Sequence, residues 1–182
     1  SLDAEGAEHR AERQIEIKQH RALFDVQFEI RSGVREFAAL PDIAGVAARM
    51  MNLVNEPGTR RLFVNDMRGP IYSVSYDGKA VTQYLDINDA AWGVSVQSMG
   101  RERGFQSFTF HPQFAQAGMP GFGKFYTYTD TTNQTPAAGF TTTNPATTHD
   151  PVMLEWTAKT PGAATYDGGA PAFGPLAPDA LF

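Results

Sequence analysis

Hydrophobic and polar residues alternate along much of this chain with the two-residue period of strands half buried in a sheet. Val26-Gln27-Phe28-Glu29-Ile30 is one such run, Ser32-Gly33 turns the chain after it, and Val34 to Leu40 reads as a further extended stretch. Leu62-Phe63-Val64 is entered through Asn55-Glu56-Pro57-Gly58-Thr59, a cluster of turn-forming residues. Ile71 to Tyr76 and Val81 to Ile87 flank Asp77-Gly78, a strong short signal for a hairpin. Farther on, Phe108, Phe110 and Phe125 alternate with small polar residues, so 105–110, 125–129 and 152–156 are expected as strands. His111-Pro112 closes the first of these, because proline lacks the amide a ladder needs. The same alternation expects Phe63, Val74, Leu85, Phe108, Phe110, Phe125 and Leu154 to be buried.

Other regions do not keep this period. Leu2 to Leu23 reads as a charged helix, with Ala4, Ala7, Ala11, Ile15 and Ala22 at three- and four-residue spacing and Glu12 and Glu16 preceding Lys18 and His20. Its apolar stripe is thin, so alone it would be marginal in water. It is either a solvated leader or a docking helix for another protein. From Asp42 to Val54 the pattern admits a helix as well as a strand. Residues 131–149 form an irregular insertion rich in Thr, Asn, Pro and Ala, and Asn133-Gln134-Thr135 within it matches a glycosylation acceptor. From Pro161 onward Pro-Gly and Asp-Gly-Gly breakers predict loop, with Leu176, Leu181 and Phe182 available to anchor a tail.

Composition narrows the classes. At 182 residues and 42% hydrophobic, the chain can bury a core of one domain's size. A net charge of -5 argues against nucleic acid, whose binders carry a basic stripe. No run of eighteen apolar residues offers a membrane helix. The absence of cysteine removes disulfides, thiolate metal sites and thiol catalysis. A start at Ser1 without an apolar segment reads as a processed or trimmed chain, and a periplasmic or secreted location is expected.

The stretch Arg101-Glu102-Arg103-Gly104-Phe105-Gln106-Ser107-Phe108-Thr109-Phe110-His111-Pro112, followed by Gly123-Lys124-Phe125-Tyr126-Thr127-Tyr128-Thr129-Asp130, is the most specific wording in the sequence. It resembles the E-R-G-L-L-G-L-A-F-H-P … G-K-F-Y-V-Y-Y-T signature of the glucose/sorbosone dehydrogenase family. Those proteins are six-bladed β-propellers, many of which oxidise sugars with pyrroloquinoline quinone (PQQ). The resemblance runs roughly from Arg49 to Gly169. It implies a strand over 49–54, so that four early segments make one antiparallel blade and three later ones most of a second. The expected fold is thus all-β: about two propeller-like blades within 25–160, a helix over 1–24 and an irregular tail over 161–182. A full propeller needs about two dozen strands, and stacked repeats need neighbours to bury their faces. Asp66-Met67-Arg68-Gly69-Pro70 is similar to the family's D-x-x-G-x-[IL] turn between strands.

Candidate chemistry is sparse. The resemblance places Glu102, two residues before Gly104, on the loop that reaches the funnel of a sugar-oxidising propeller. Between Arg101 and Arg103, a carboxylate there can accept sugar hydroxyls; the plainer alternative is a surface ion pair with one of these arginines. His111 can serve as a general base near neutral pH or simply shape the turn before Pro112. His149 and Asp150 are adjacent on an expected strand and so face opposite ways, while His9 and His20 are too far apart to share a ligand. Asp86, Asn88 and Asp89 form an acidic cluster without the spacing of an EF-hand. The sequence contains no phosphate-binding glycine loop and no Gly-x-Ser-x-Gly.

In the resembled family a segment like Thr165-Tyr166-Asp167-Gly168-Gly169-Ala170-Pro171 leads to an H-x-G-G motif. Its histidine takes the sugar's C1 proton, and later blades hold the quinone with calcium. Here the sequence departs after Pro171 into Ala172-Phe173-Gly174-Pro175, and no histidine follows His149. The expectation for this chain is therefore a non-catalytic structural or binding subunit of a larger assembly, without catalytic residues, cofactor or metal of its own. Its expected partners are other protein subunits, with carbohydrate as a further candidate. The alternatives are the N-terminal fragment of a PQQ-dependent dehydrogenase and a small carbohydrate-binding all-β protein.

Overall fold

The computed structural model describes residues 35–100, 102–132 and 149–172. The expected helix over 2–23, the strand over 26–30, Arg101, the Asn133 motif and the tail beyond residue 172 lie outside the described residues. The chain divides into units 1–37 and 38–182, and the architecture below belongs to the second.

That unit is all-β. Strands β1 (Met50–Asn55), β2 (Arg61–Asp66), β3 (Pro70–Ser75) and β4 (Val81–Asp86) form a four-stranded antiparallel sheet in sequential order. A short 3₁₀ turn, Ala90–Trp92, and a long loop lead to a second sheet of β5 (Phe105–Phe110), β6 (Lys124–Thr132) and β7 (His149–Thr157), again sequential. Asp42 to Arg49 is not helical: Ile43 and Val46 form an isolated bridge, and β1 begins at Met50. Residues 35–40 belong to neither sheet. Among the described residues no helix is long and apolar enough to cross a membrane.

The alternation of side chains decides how the sheets stack. Phe63, Ile71 and Leu85 from the first sheet share one core with Phe105, Phe108, Phe110, Phe125, Val152, Leu154 and Trp156 from the second. The opposite face of the first sheet buries Val64, Tyr72 and Val74 against Ala38, Leu40, Leu62 and Val81. The register of β3 on β4 shifts between Ile71 and Tyr72, leaving Tyr84 as the extra residue on β4, and Tyr84 and Leu85 both enter the first of these clusters. All seven residues expected to be buried are buried.

Turn chemistry departs in one place from the expected pattern. Asp77-Gly78 sits inside a five-residue loop, 76–80, rather than forming a two-residue hairpin. Asp77 accepts the hydroxyl of Ser75 (2.6 Å) and the amide of Lys79 (3.2 Å), and Gly78 takes φ +73°. The carboxylate thus caps a wider loop that a direct strand-to-strand turn would leave no room for.

Candidate functional site

Because both sheets meander up and down, Arg49, the turn after β2, the long loop before β5 and the start of β7 gather at one end of the structure. The sequence-predicted loop of Glu102 is here, and its backbone is held on two sides. Phe105 donates its amide to the Met67 carbonyl (2.8 Å), and Asp130 donates to the Gly104 carbonyl (3.0 Å). Gly104 has φ +132°, and a Cβ there would stand 2.4 Å from the Met67 carbonyl oxygen. A side chain at 104 would push the loop off its seat. The result presents Glu102 and Arg103 to solvent. Among the described residues neither of them forms an ion pair.

Beneath this loop lies a denser polar network than the sequence signalled. The fully buried Asp66 carboxylate accepts the Arg49 amide (2.8 Å), the Arg68 amide (2.8 Å) and the Arg68 guanidinium (2.8 Å). Arg49 extends its own guanidinium to the carbonyls of Ser98 (3.1 Å) and Gly100 (2.8 Å). Buried Asn65 accepts the Asn52 amide (3.0 Å) and donates to the Phe105 carbonyl (2.7 Å), tying β1, β2 and β5 together. The Asp66–Pro70 segment makes the expected turn, closed by the Gly69 amide on the Asp66 carbonyl (3.1 Å).

The acidic cluster is occupied with shaping backbone. Asp86 accepts the Asn88 amide (2.9 Å), Asn88 accepts the Val96 amide (2.9 Å), and Asp89 caps the 3₁₀ turn through the Ala91 amide (2.9 Å). No group of metal-ligating side chains occurs among the described residues. His111 is likewise a turn element: its Nδ1 accepts the Gln113 amide at 3.0 Å, and its ring lies against Gly121, where a Cβ would approach within 1.8 Å. His149 and Asp150 pair in register with Thr132 and Thr131.

Two carboxylates in this region titrate in opposite directions. Burial alone would raise Asp66, but hydrogen bonds from Arg68 and Arg49 outweigh it and hold the carboxyl below its usual value of 3.8. Asp86 is raised above 3.8 by burial, with Asp89 and Asp66 adding like charge, against the opposing hydrogen bond from Asn88. Asp66 therefore contributes stability that is present above pH ~4 and is lost as pH falls through its lowered pKa. Asp86 has the opposite sign: its contribution is present at acid pH and is lost as pH rises through its raised pKa. Urea unfolding followed across pH should show Asp66→Asn destabilising the protein at neutral pH and flattening its acid limb. Asp86→Asn should be neutral or stabilising at neutral pH.

A second candidate surface was not singled out by the sequence. The outward face of the second sheet carries Tyr126, Tyr128 and Met153 around a shallow groove of about 140 Å³, floored between the strands by Ser107 and Thr109. Tyr128 is 42% exposed and Met153 74% exposed, and they are cross-strand partners. Charge sits at the border, where Lys124 pairs with Glu155 at 3.2 Å. Burial, and then the Glu155 carboxylate, push the Tyr126 phenol up to about 12. The alternation that predicted the buried residues also implied these outward ones; that they make one continuous patch depends on the register of three strands. No protein-family model matches the chain, and no curated protein does either.

Proposed function

We propose that this chain is a non-catalytic structural or binding module of a larger β-assembly, of the propeller type found in glucose/sorbosone dehydrogenases. The observation that carries this reading is the outward face of the second sheet. The first sheet covers the outer face of β2 and β3 at Val64, Tyr72 and Val74 and leaves its β1 edge exposed, whereas the second leaves Tyr128 and Met153 in water at the middle of its outward face. An apolar centre with charge confined to its rim is the anatomy of a surface that packs against another. The sequential, face-to-face arrangement of four- and three-stranded antiparallel sheets is compatible with successive propeller blades. In that reading Glu102 and Arg103 stand at the end of the blades where a funnel opens, and PQQ and calcium would be held by other blades of such a propeller.

The test uses the isolated chain. Size-exclusion chromatography with light scattering should find the wild type self-associating or precipitating, and Tyr128→Lys/Met153→Lys should restore a soluble monomer with an unchanged far-UV spectrum. A wild-type chain that stays monomeric, with Met153 and Tyr128 freely solvated at high concentration, sinks the assembly reading. PQQ-dependent sugar turnover by this chain would sink its non-catalytic part.

A further inference from the structure

The segment after β7 doubles back across both sheets. Residues 158–169 contain no regular structure, and half of them are exposed. On the first sheet, the Ala163 carbonyl accepts Arg61 Nη1 (2.8 Å), and the Tyr166 amide donates to the Tyr84 carbonyl (2.8 Å). On the second, the Tyr166 hydroxyl lies between the carbonyls of Gly169 (2.8 Å) and Thr157 (3.2 Å) as acceptors for its single hydrogen, while its ring packs edge-on against Phe125 and Trp156, each with centroids 5.7 Å away. Trp92 stands 5.7 Å from the same ring. Asp167 folds the segment on itself by accepting the amides of Lys159 (2.8 Å) and Thr160 (3.2 Å).

We propose that residues 158–169 form a clasp that opens on its own, while both sheets stay folded, and so uncovers the aromatic seam of Tyr84, Trp92 and Trp156. The physical basis is an asymmetry of attachment. The sheets are locked by a shared core of buried rings, whereas the clasp is rooted at the buried Ala158, has Tyr166 as its one large apolar anchor beyond that root, and otherwise holds by a few polar contacts. Segments so attached open locally at far lower cost than the whole domain unfolds. The Tyr84 hydroxyl beside Tyr166 and Arg61 is buried with no hydrogen-bond partner among the described residues. Opening would hydrate it, which relieves the penalty of leaving a buried donor unsatisfied. The inference is independent of the proposed assembly role, since the clasp does not overlap the Tyr128–Met153 face.

Hydrogen exchange on the full chain tests it, with tryptophan emission as a second readout, because the sequence holds two tryptophans and both touch Tyr166. In the wild type the Tyr166 amide should exchange faster than the amides of β5 and β6. Gly168→Ala places a Cβ 2.1 Å from the Thr157 carbonyl oxygen and should hold the clasp open. It should speed exchange at Tyr166 by about tenfold or more and shift tryptophan emission, while β5 and β6 keep their protection. Asp167→Asn, at a less constrained position, should act in the same direction and serves if Gly168→Ala does not fold. Equal protection of Tyr166 and the β5–β6 amides in the wild type, or a uniform loss of protection in the variants, would overturn the proposal.

Discussion

Replacing Phe125 with alanine should lower the unfolding free energy by about 3–5 kcal/mol. Phe125 is fully buried on β6 and stacks on Trp156 with centroids 6.0 Å apart and rings 11° from parallel. Phe110, Phe114, Tyr84 and Tyr166 surround its remaining faces. Truncation removes the transfer energy of the ring and leaves a cavity that these rigid neighbours, drawn from both sheets, cannot collapse into. Denaturant unfolding should show a lower midpoint at unchanged slope. Lys79→Ala, in the exposed loop after β3, should stay within about 0.5 kcal/mol as a control. A loss below about 1 kcal/mol for Phe125→Ala would mean that the two sheets do not share this core.

Arg61→Ala should cost a comparable amount, about 3–5 kcal/mol, for an electrostatic reason. Glu56 is fully buried, and the Arg61 guanidinium covers both carboxylate oxygens at 2.8 and 2.9 Å while lying over the ring of Phe63 at 5.0 Å. Thr59 also donates to this carboxylate. Removing the guanidinium leaves a buried carboxylate with the hydroxyl of Thr59 and no counter-charge. The decisive comparison is Glu56→Gln/Arg61→Ala. Because it removes the stranded charge, the double variant should be more stable than Arg61→Ala alone, and the cycle measures the coupling directly. If the double variant is the less stable of the two, the pair is not a compensated buried charge.

These two residues also separate what the chain announces from what it conceals. The alternation around Phe63, Phe108, Phe110 and Phe125 is a local consequence of the strand period, so strand positions and inward residues could be read from the sequence by itself. Turn positions were legible for the same reason, since Gly69 and Gly78 each carry a backbone angle that few other residues adopt. The period of the span 42–54 was ambiguous, because its spacing suits both a helix and a strand. Pairing of Leu53, Val54 and Asn55 with β2 settles it, and that pairing is a tertiary event.

The polar residues behaved differently. Glu102 drew notice through its sequence neighbours, yet the structure gives it no described ion pair, whereas Glu56, Asn65 and Asp66 became fully buried and satisfied. Nothing in local spacing distinguishes a carboxylate in a surface turn from one that will receive an arginine five residues away beneath a returning loop. The same holds for Tyr166, which lies in a Gly-rich stretch and owes its place to rings on β4, β6 and β7. By itself the sequence determined the all-β class, the strands other than β1 and the inward residues, because those follow from a two-residue period and from turn stereochemistry. The tertiary structure alone decided which sheet faces met, which polar groups lost water and which apolar face stayed open, because those depend on register and on contacts between residues far apart in the chain.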